Sequence, residues 1–292
     1  MSKNQARMAM VIIRAYSDDM EYWRTRIDLS HPVWGDYRDR LLSLGAEPFP
    51  GPCELSRLLP TGLCNRNGYP IRFVAASKLP VVDYENHIYR QGEVSTRENS
   101  WHDLFNALIW CRFPALKVAM NAVHFRELDA GGEGRRGKQR DALTLFDESG
   151  IIVCSSNQTI LDAMARRDWN HVFRSKAGAW EDEISLFVVG HALLEKFLRP
   201  YKAITAQALL IELDGALMKQ SRADKLNVLD DLVAERLLAG SMLESPACLS
   251  PLPLMGIPGW WPGGGQDDDF YDDRKVFRLL AEEGRIAPVY FW

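Results

Sequence analysis

The chain has too few cysteines, in the wrong arrangement, to be stapled or zinc-bound through thiolates. Cys53, Cys64, Cys111, Cys154 and Cys248 are odd in number and form no C-x-x-C pair, which points to reduced thiols and a cytoplasmic setting. Long apolar runs are also missing. The N-terminal M-A-M-V-I-I is shorter than a signal-peptide core and is soon followed by Arg14 and Asp18, and no segment approaches the roughly 20 apolar residues of a membrane span. Excess positive charge is absent too: the formal net charge is −4, so bulk electrostatics favour neither nucleic acid nor an anionic membrane as partner. There is no G-x-S-x-G, no Walker loop, and no G-x-G-x-x-G opening a helix after a strand. Serine-hydrolase, P-loop and dinucleotide chemistry therefore have no support.

What is present is the composition of a globular protein. Over 292 residues, 47% hydrophobic and 25% charged side chains suffice for a substantial core. Prolines at 32, 48, 50, 52, 60, 70 and 80 limit the first hundred residues to short elements: helices near 33–44 and 54–59, and strands at 71–75 and 87–89. Ser100, with Asp103 three residues on, predicts a helix over 100–112 with His102 and Asp103 in its first turn. Pro114 suits the first turn of a second helix, 114–128. The glycine-rich loop after it carries Arg135, Arg136, Lys138 and Arg140. L-T-L-F-D-E-S-G-I-I-V-C then reads as a hairpin, with Gly150 supplying a positive φ. Helical spacing predicts helices at 158–167, 180–198, 204–213 and 224–239, and the Pro/Gly-rich segment around Trp260-Trp261 reads as an irregular apolar loop packed on the body.

Three constellations could carry chemistry. His102-Asp103, close to Arg97 and Asn106, is a His-Asp doublet of the kind that ligates a divalent ion in HD-type phosphohydrolases, although the upstream histidine on its own helix is missing and His87 falls in a segment that reads extended. The competing account makes Asp103 a helix cap and His102 a partly buried neighbour of Trp101. His191 and Glu195 lie one turn apart and so can present two ligands or an acid-base pair, with Gly190 allowing another helix to approach closely; a core histidine is the alternative. Asp147 with Asp141 and Glu148, beside the basic loop, could hold a metal next to a phosphate, whereas a turn and a solvated linker would need the same residues. The acidic run 267–273 lacks EF-hand spacing.

Several blocks carry a family resemblance. Tyr84-Glu85, His87-Ile88-Tyr89, Gly92, Thr96-Arg97, H-D-L-F-N-A-L-I-W at 102–110, F-P-A-L-K at 113–117, Asn121, R-D-A-L-T-L-F-D-E-S-G at 140–150, G-H-A-L-L-E-K at 190–196, P-G-W-W-P and F-Y-D-D-R-K-V-F-R occur in order. Together they resemble the bacterial family catalogued as domain of unknown function 3025, over roughly residues 40–280. The resemblance implies a soluble bacterial protein built as a single unit, and brings no reaction, cofactor or substrate with it.

The expected architecture is α+β: one helix-dominated domain over residues 31–292, with a small antiparallel sheet or hairpin, behind an N-terminal extension, 1–30. The expected site gathers His102, Asp103, Asn106, His191 and Glu195 as catalytic groups. A divalent ion would sit on His102, Asp103, His191 and Asp147, and Arg97, Arg140, Trp260 and Trp261 would contact substrate. Two functions follow: a metal-assisted hydrolase of a small substrate, phosphorylated or not, or a non-catalytic module binding a ligand or a protein partner.

Overall fold

The computed structural model describes residues 23–78, 84–130 and 137–292. Arg135 and Arg136 of the basic loop, and most of the N-terminal extension, lie outside the described residues. The fold is α+β and helix-dominated. One buried apolar cluster runs from Trp23 and Ile27 to Phe277.

The sheet is larger than expected and mixed. Strands β3 (Gly150–Ser155), β4 (Ile184–Val188), β5 (Thr205–Glu212), β6 (Ser250–Pro253) and β7 (Val289–Phe291) form it, in the order β4-β3-β5-β6, with β7 also on β5. The β3–β5 and β5–β7 pairs are parallel; β3–β4 and β5–β6 are antiparallel. Strands β1 (Arg72–Ala75) and β2 (Glu93–Thr96) form a separate parallel pair.

Seven helices of six residues or more matter for the site and its setting: α1 (Tyr84–Gln91), α2 (Trp101–Arg112), α3 (Pro114–Ala130), α4 (Lys138–Ser149), α5 (Gln158–Ala165), α6 (His191–Lys196) and α7 (Arg222–Leu238). Helix α2 begins where the capping pattern placed it, with Ser100 Oγ accepting from the Asp103 N–H at 3.2 Å. The second helix starts at Pro114, and its Ala115 and Leu116 N–H groups donate to the Asp230 carboxylate on α7, at 3.0 and 2.8 Å.

Several sequence expectations are corrected. The expected hairpin at 143–153 is helix α4 running directly into β3: Ala142, Leu143 and Phe146 form a buried helical stripe, which outweighs the turn chemistry of D-E-S-G. Gly150 has φ −75, so its role is not a positive φ; a Cβ there would meet the Phe146 carbonyl oxygen at 2.2 Å. The long helix expected at 180–198 is a short helix, Ala179–Asp182, then β4 and α6, and the one expected at 204–213 is β5. All five residues of β4 are buried, as is most of β5. Strands covered on both faces lose the alternation that distinguishes them from a buried helix.

Residues 87–89 are helical, not extended, because α1 is closed by Gly92 at φ +71 and its last carbonyls accept from Asn65 Nδ2. The helix expected at 33–44 is a 3-10 turn, Pro32–Trp34, followed by Arg38–Ser43, and the one expected at 54–59 is Pro52–Arg57. Part of the tail expected to be irregular supplies edge strand β6, while Leu254, Met255 and Ile257 are buried against the body as expected.

Candidate functional site

Two glycines place the site. Helix α4 ends at Ser149 and β3 starts at Gly150; β4 ends at Val188 and α6 starts at His191. The Val189 and Gly190 N–H groups both donate to the Gly150 carbonyl, at 2.9 and 2.8 Å. A Cβ on Gly190 would lie 2.6 Å from Gly150 N and from Ser149 Cα, and 2.7 Å from the Glu148 carbonyl oxygen. That approach, open only to glycine, sets the first residue of α6 against the last turn of α4. His191 thereby faces Asp147 and Glu148. The first turn of α2 completes the group with His102.

His102 Nε2 and His191 Nε2 are 2.9 Å apart, with the rings nearly perpendicular at 84°. His191 is 4% exposed, and burial pushes its pKa down to about 4, against the opposing pull of Asp147, so the ring is neutral near pH 7. Each imidazole also turns its other nitrogen towards a carboxylate: His102 Nδ1 is 3.5 Å from Glu195 Oε2, and His191 Nδ1 is 3.7 Å from Asp147 Oδ2. Neither carboxylate is within hydrogen-bond distance of Nδ1, and His191 Nδ1 has no hydrogen-bond partner among the described residues; a proton on Nδ1 would leave that ring's Nε2 lone pair directed into the site. Glu148 Oε2 lies 3.7 Å from His191 Nε2. Ligand atoms of His102, Glu148 and His191 all fall within 4.8 Å of one another.

Behind the imidazoles runs a polar chain. Lys117, 6% exposed, donates to Asp147 Oδ1 at 2.5 Å and to Asn106 Oδ1 at 3.0 Å, and Asn106 Nδ2 donates to Tyr84 Oη at 3.0 Å. Burial, the largest single influence, would raise the Asp147 pKa, but Lys117 together with His191 and His124 more than offsets it and holds the carboxyl below its ordinary value. For Glu148 burial dominates and raises its pKa, against weaker pulls from His102 and Lys117.

The cluster opens on a cleft of about 410 Å³, lined among others by Arg97, Asn106, His124, Arg140 and Thr144. His124, 6% exposed, has no hydrogen-bond partner at Nδ1, nor has Arg140 at Nε, among the described residues.

The structure thus brings together His102, His191 and Glu195, with Asn106, Arg97 and Arg140 on the same cleft. Asp103 lines the same cleft but is committed to Arg97: its carboxylate takes the Arg97 backbone N–H at 2.6 Å and the guanidinium at 3.0 and 2.7 Å, and although burial would raise its pKa these bonds lower it. Asp147 backs His191 instead of facing the gap between the rings. Trp260 and Trp261 do not roof the cleft; Trp260 packs on His31 and Phe197, and Trp261 on Phe270. His87 pairs with Glu93 at 2.9 Å, away from the cluster. Sequence reasoning placed Glu148 with Asp147 and Asp141 in a possible metal-holding set, and missed Lys117. The signal for Glu148 was its neighbour Asp147, read as part of a turn; on a helix the two point into the same site.

The family described as "Protein of unknown function (DUF3025)" matches residues 71–280, more than two thirds of the chain. The chain belongs to this family. No curated protein and no solved structure matches it. In this DUF3025 member the matched segment contains all three residues of the His102-Glu148-His191 cluster and the carboxylates behind it. Among the described residues no helix is long and apolar enough to cross a membrane.

Proposed function

We propose that the protein is a divalent-metal-dependent hydrolase of a small anionic substrate, with the ion held by His102 Nε2, His191 Nε2 and the Glu148 carboxylate. The observation that carries this reading is the 2.9 Å separation of two imidazole nitrogens whose opposite nitrogens both face carboxylates. A proton on either Nε2 would make this contact an N–H···N hydrogen bond, whereas with both protons on Nδ1 the facing lone pairs draw a cation between them. Nitrogens bound about 2.1 Å from one ion and about 90° apart around it would be about 3 Å from each other, the spacing of neighbouring ligands in octahedral geometry. Three protein ligands leave positions open for water and substrate.

A bound divalent ion supplies an acidified water and polarises the bond to be cut. The residues do the rest. Asp147, fixed by Lys117, and Glu195 orient the two imidazoles; Asn106 fixes Lys117. Arg140 Nε is a donor without an acceptor and His124 Nδ1 a ring nitrogen without a partner among the described residues, and buried groups of this kind are normally satisfied, here by a polar, anionic substrate. Arg97, already paired with Asp103, borders the same space.

The test is metal analysis and calorimetry on the purified protein with Mn²⁺ and Zn²⁺, followed by screening for hydrolysis of phosphate and carboxylate esters. One ion per chain should bind, and H102A, H191A and E148Q should each weaken binding by at least about tenfold, about 1.4 kcal/mol, with the fold retained. Full metal binding in H191A would overturn the metal reading. Metal binding without turnover of any ester would favour the ligand-binding module instead.

A further inference from the structure

A second cleft, sharing no lining residue with the first, is cationic. It holds about 290 Å³ and is lined by Arg167, Trp169, Ala203, Thr205, Pro251, Pro253, Lys275, Val276 and Arg278. Three of these carry positive charge and none carries negative charge, in a protein whose net charge is −4. No ion pair joins Arg167, Lys275 or Arg278 to an acid among the described residues. Their setting is nevertheless built. Trp169, 3% exposed, donates its indole N–H to the Arg278 carbonyl at 2.8 Å, and Arg278 Nε donates to the Lys275 carbonyl at 3.1 Å, which aims that guanidinium.

Arg167 is the informative residue. It follows helix α5 at φ +57, with its N–H on Met164 O at 3.0 Å and the Asp168 N–H on Ala163 O at 2.9 Å. This is the helix-ending motif in which glycine normally takes the left-handed position. A side chain there is strained, and Arg166 before it is the helix's C-cap residue. Arg167 thus places a side chain at a position that usually favours glycine, on the same cleft as Lys275 and Arg278.

We propose that this cleft binds a small phosphate ester, its phosphate held by Arg167, Lys275 and Arg278 and its body resting on Pro251, Pro253 and Val276. Three cations exceed what a single carboxylate needs and match the charge and oxygens of a phosphate dianion. The volume lies near the lower end of small-ligand sites, roughly 300–1,000 Å³. Peptide addition to the sheet is disfavoured, because prolines on edge strand β6 have no N–H to pair with another strand. The site is independent of the proposed metal centre.

The experiment is calorimetric titration of the whole protein with inorganic pyrophosphate, run on wild type, R140A, R167G, R167K and the K275A/R278A double variant. One binding event should survive in R140A, which alters only the first cleft, and in R167K. In R167G and in the double variant it should weaken by at least about tenfold, the size expected for one charged hydrogen bond. The melting temperature of R167G should not fall, since glycine relieves the strained φ, so weakened binding in R167G reads the lost guanidinium and not a damaged fold. Absence of pyrophosphate binding, its loss in R140A, or its persistence in both R167G and the double variant would each overturn the proposal. Tighter binding of a phosphoserine peptide than of any small phosphate would replace the small ligand with a protein partner and overturn it likewise.

Discussion

Substituting Ala for Gly190 should separate the halves of the candidate metal centre. The added methyl would sit 2.6 Å from Gly150 N and Ser149 Cα and 2.7 Å from the Glu148 carbonyl oxygen. Non-bonded carbon atoms rest at about 3.5–4.0 Å, so the start of α6 must retreat from the end of α4 by about 1 Å. These neighbours are backbone atoms, and no rotamer change can relieve the contact. Overpacking of this kind costs about 1–3 kcal/mol. The two hydrogen bonds from Val189 and Gly190 to Gly150 O would lengthen as well. Function should suffer more than stability: His191 moves with α6 and Glu148 with α4, and a displacement of about 1 Å in a positioned site can cost about a hundredfold. Urea denaturation of the metal-free protein, paired with Zn²⁺ or Mn²⁺ titration, measures both effects. A Gly190→Ala protein losing less than about 0.5 kcal/mol and binding metal as wild type does would refute the close-approach argument.

Asp147→Asn should lower metal affinity by about 10–100-fold while leaving all three ligands in place, because it removes the charge behind His191; unchanged affinity in the titration would remove Asp147 from the site's support. The metal-free protein should lose stability in acid: with His191 held near pKa 4 in the fold and about 6.5 when unfolded, the unfolded chain binds more protons between those values. That stability, on the order of 3 kcal/mol, is fully present above about pH 6.5 and is lost as pH falls towards 4. Denaturant midpoints at pH 7 and 4.5 should therefore differ less in H191Q than in wild type. Asp230→Ala should cost about 2–3 kcal/mol in urea unfolding, since it leaves the N–H groups of Ala115 and Leu116 unpaired at the start of α3, and Asp230→Asn should cost less by retaining an acceptor.

The sequence by itself determined the elements whose signals are local. Ser100 and Pro114 marked the starts of α2 and α3 because capping and the missing proline N–H act within one turn. The exposed-to-buried periodicity of 224–239 did the same for α7. The close approach at Gly190 was also legible, as was a convergence of His102 and His191 when posed as the way two polar groups could be satisfied; the expected pairing of His191 with Glu195 was not, since Glu195 faces His102 and His191 faces Asp147. What only the tertiary structure decided was the state of segments buried on every side. Residues 184–188 and 205–212 carry no alternation because both faces are covered, so strand and helix look alike until the sheet exists. The helical state of 143–149 depended on a stripe finding its core, and with it went the choice of carboxylate: on a turn Asp147 leads, but at the end of α4 Glu148 faces the imidazoles while Asp147 is held by Lys117, thirty residues away in sequence. Such choices are made by partners distant along the chain, and no local pattern encodes them.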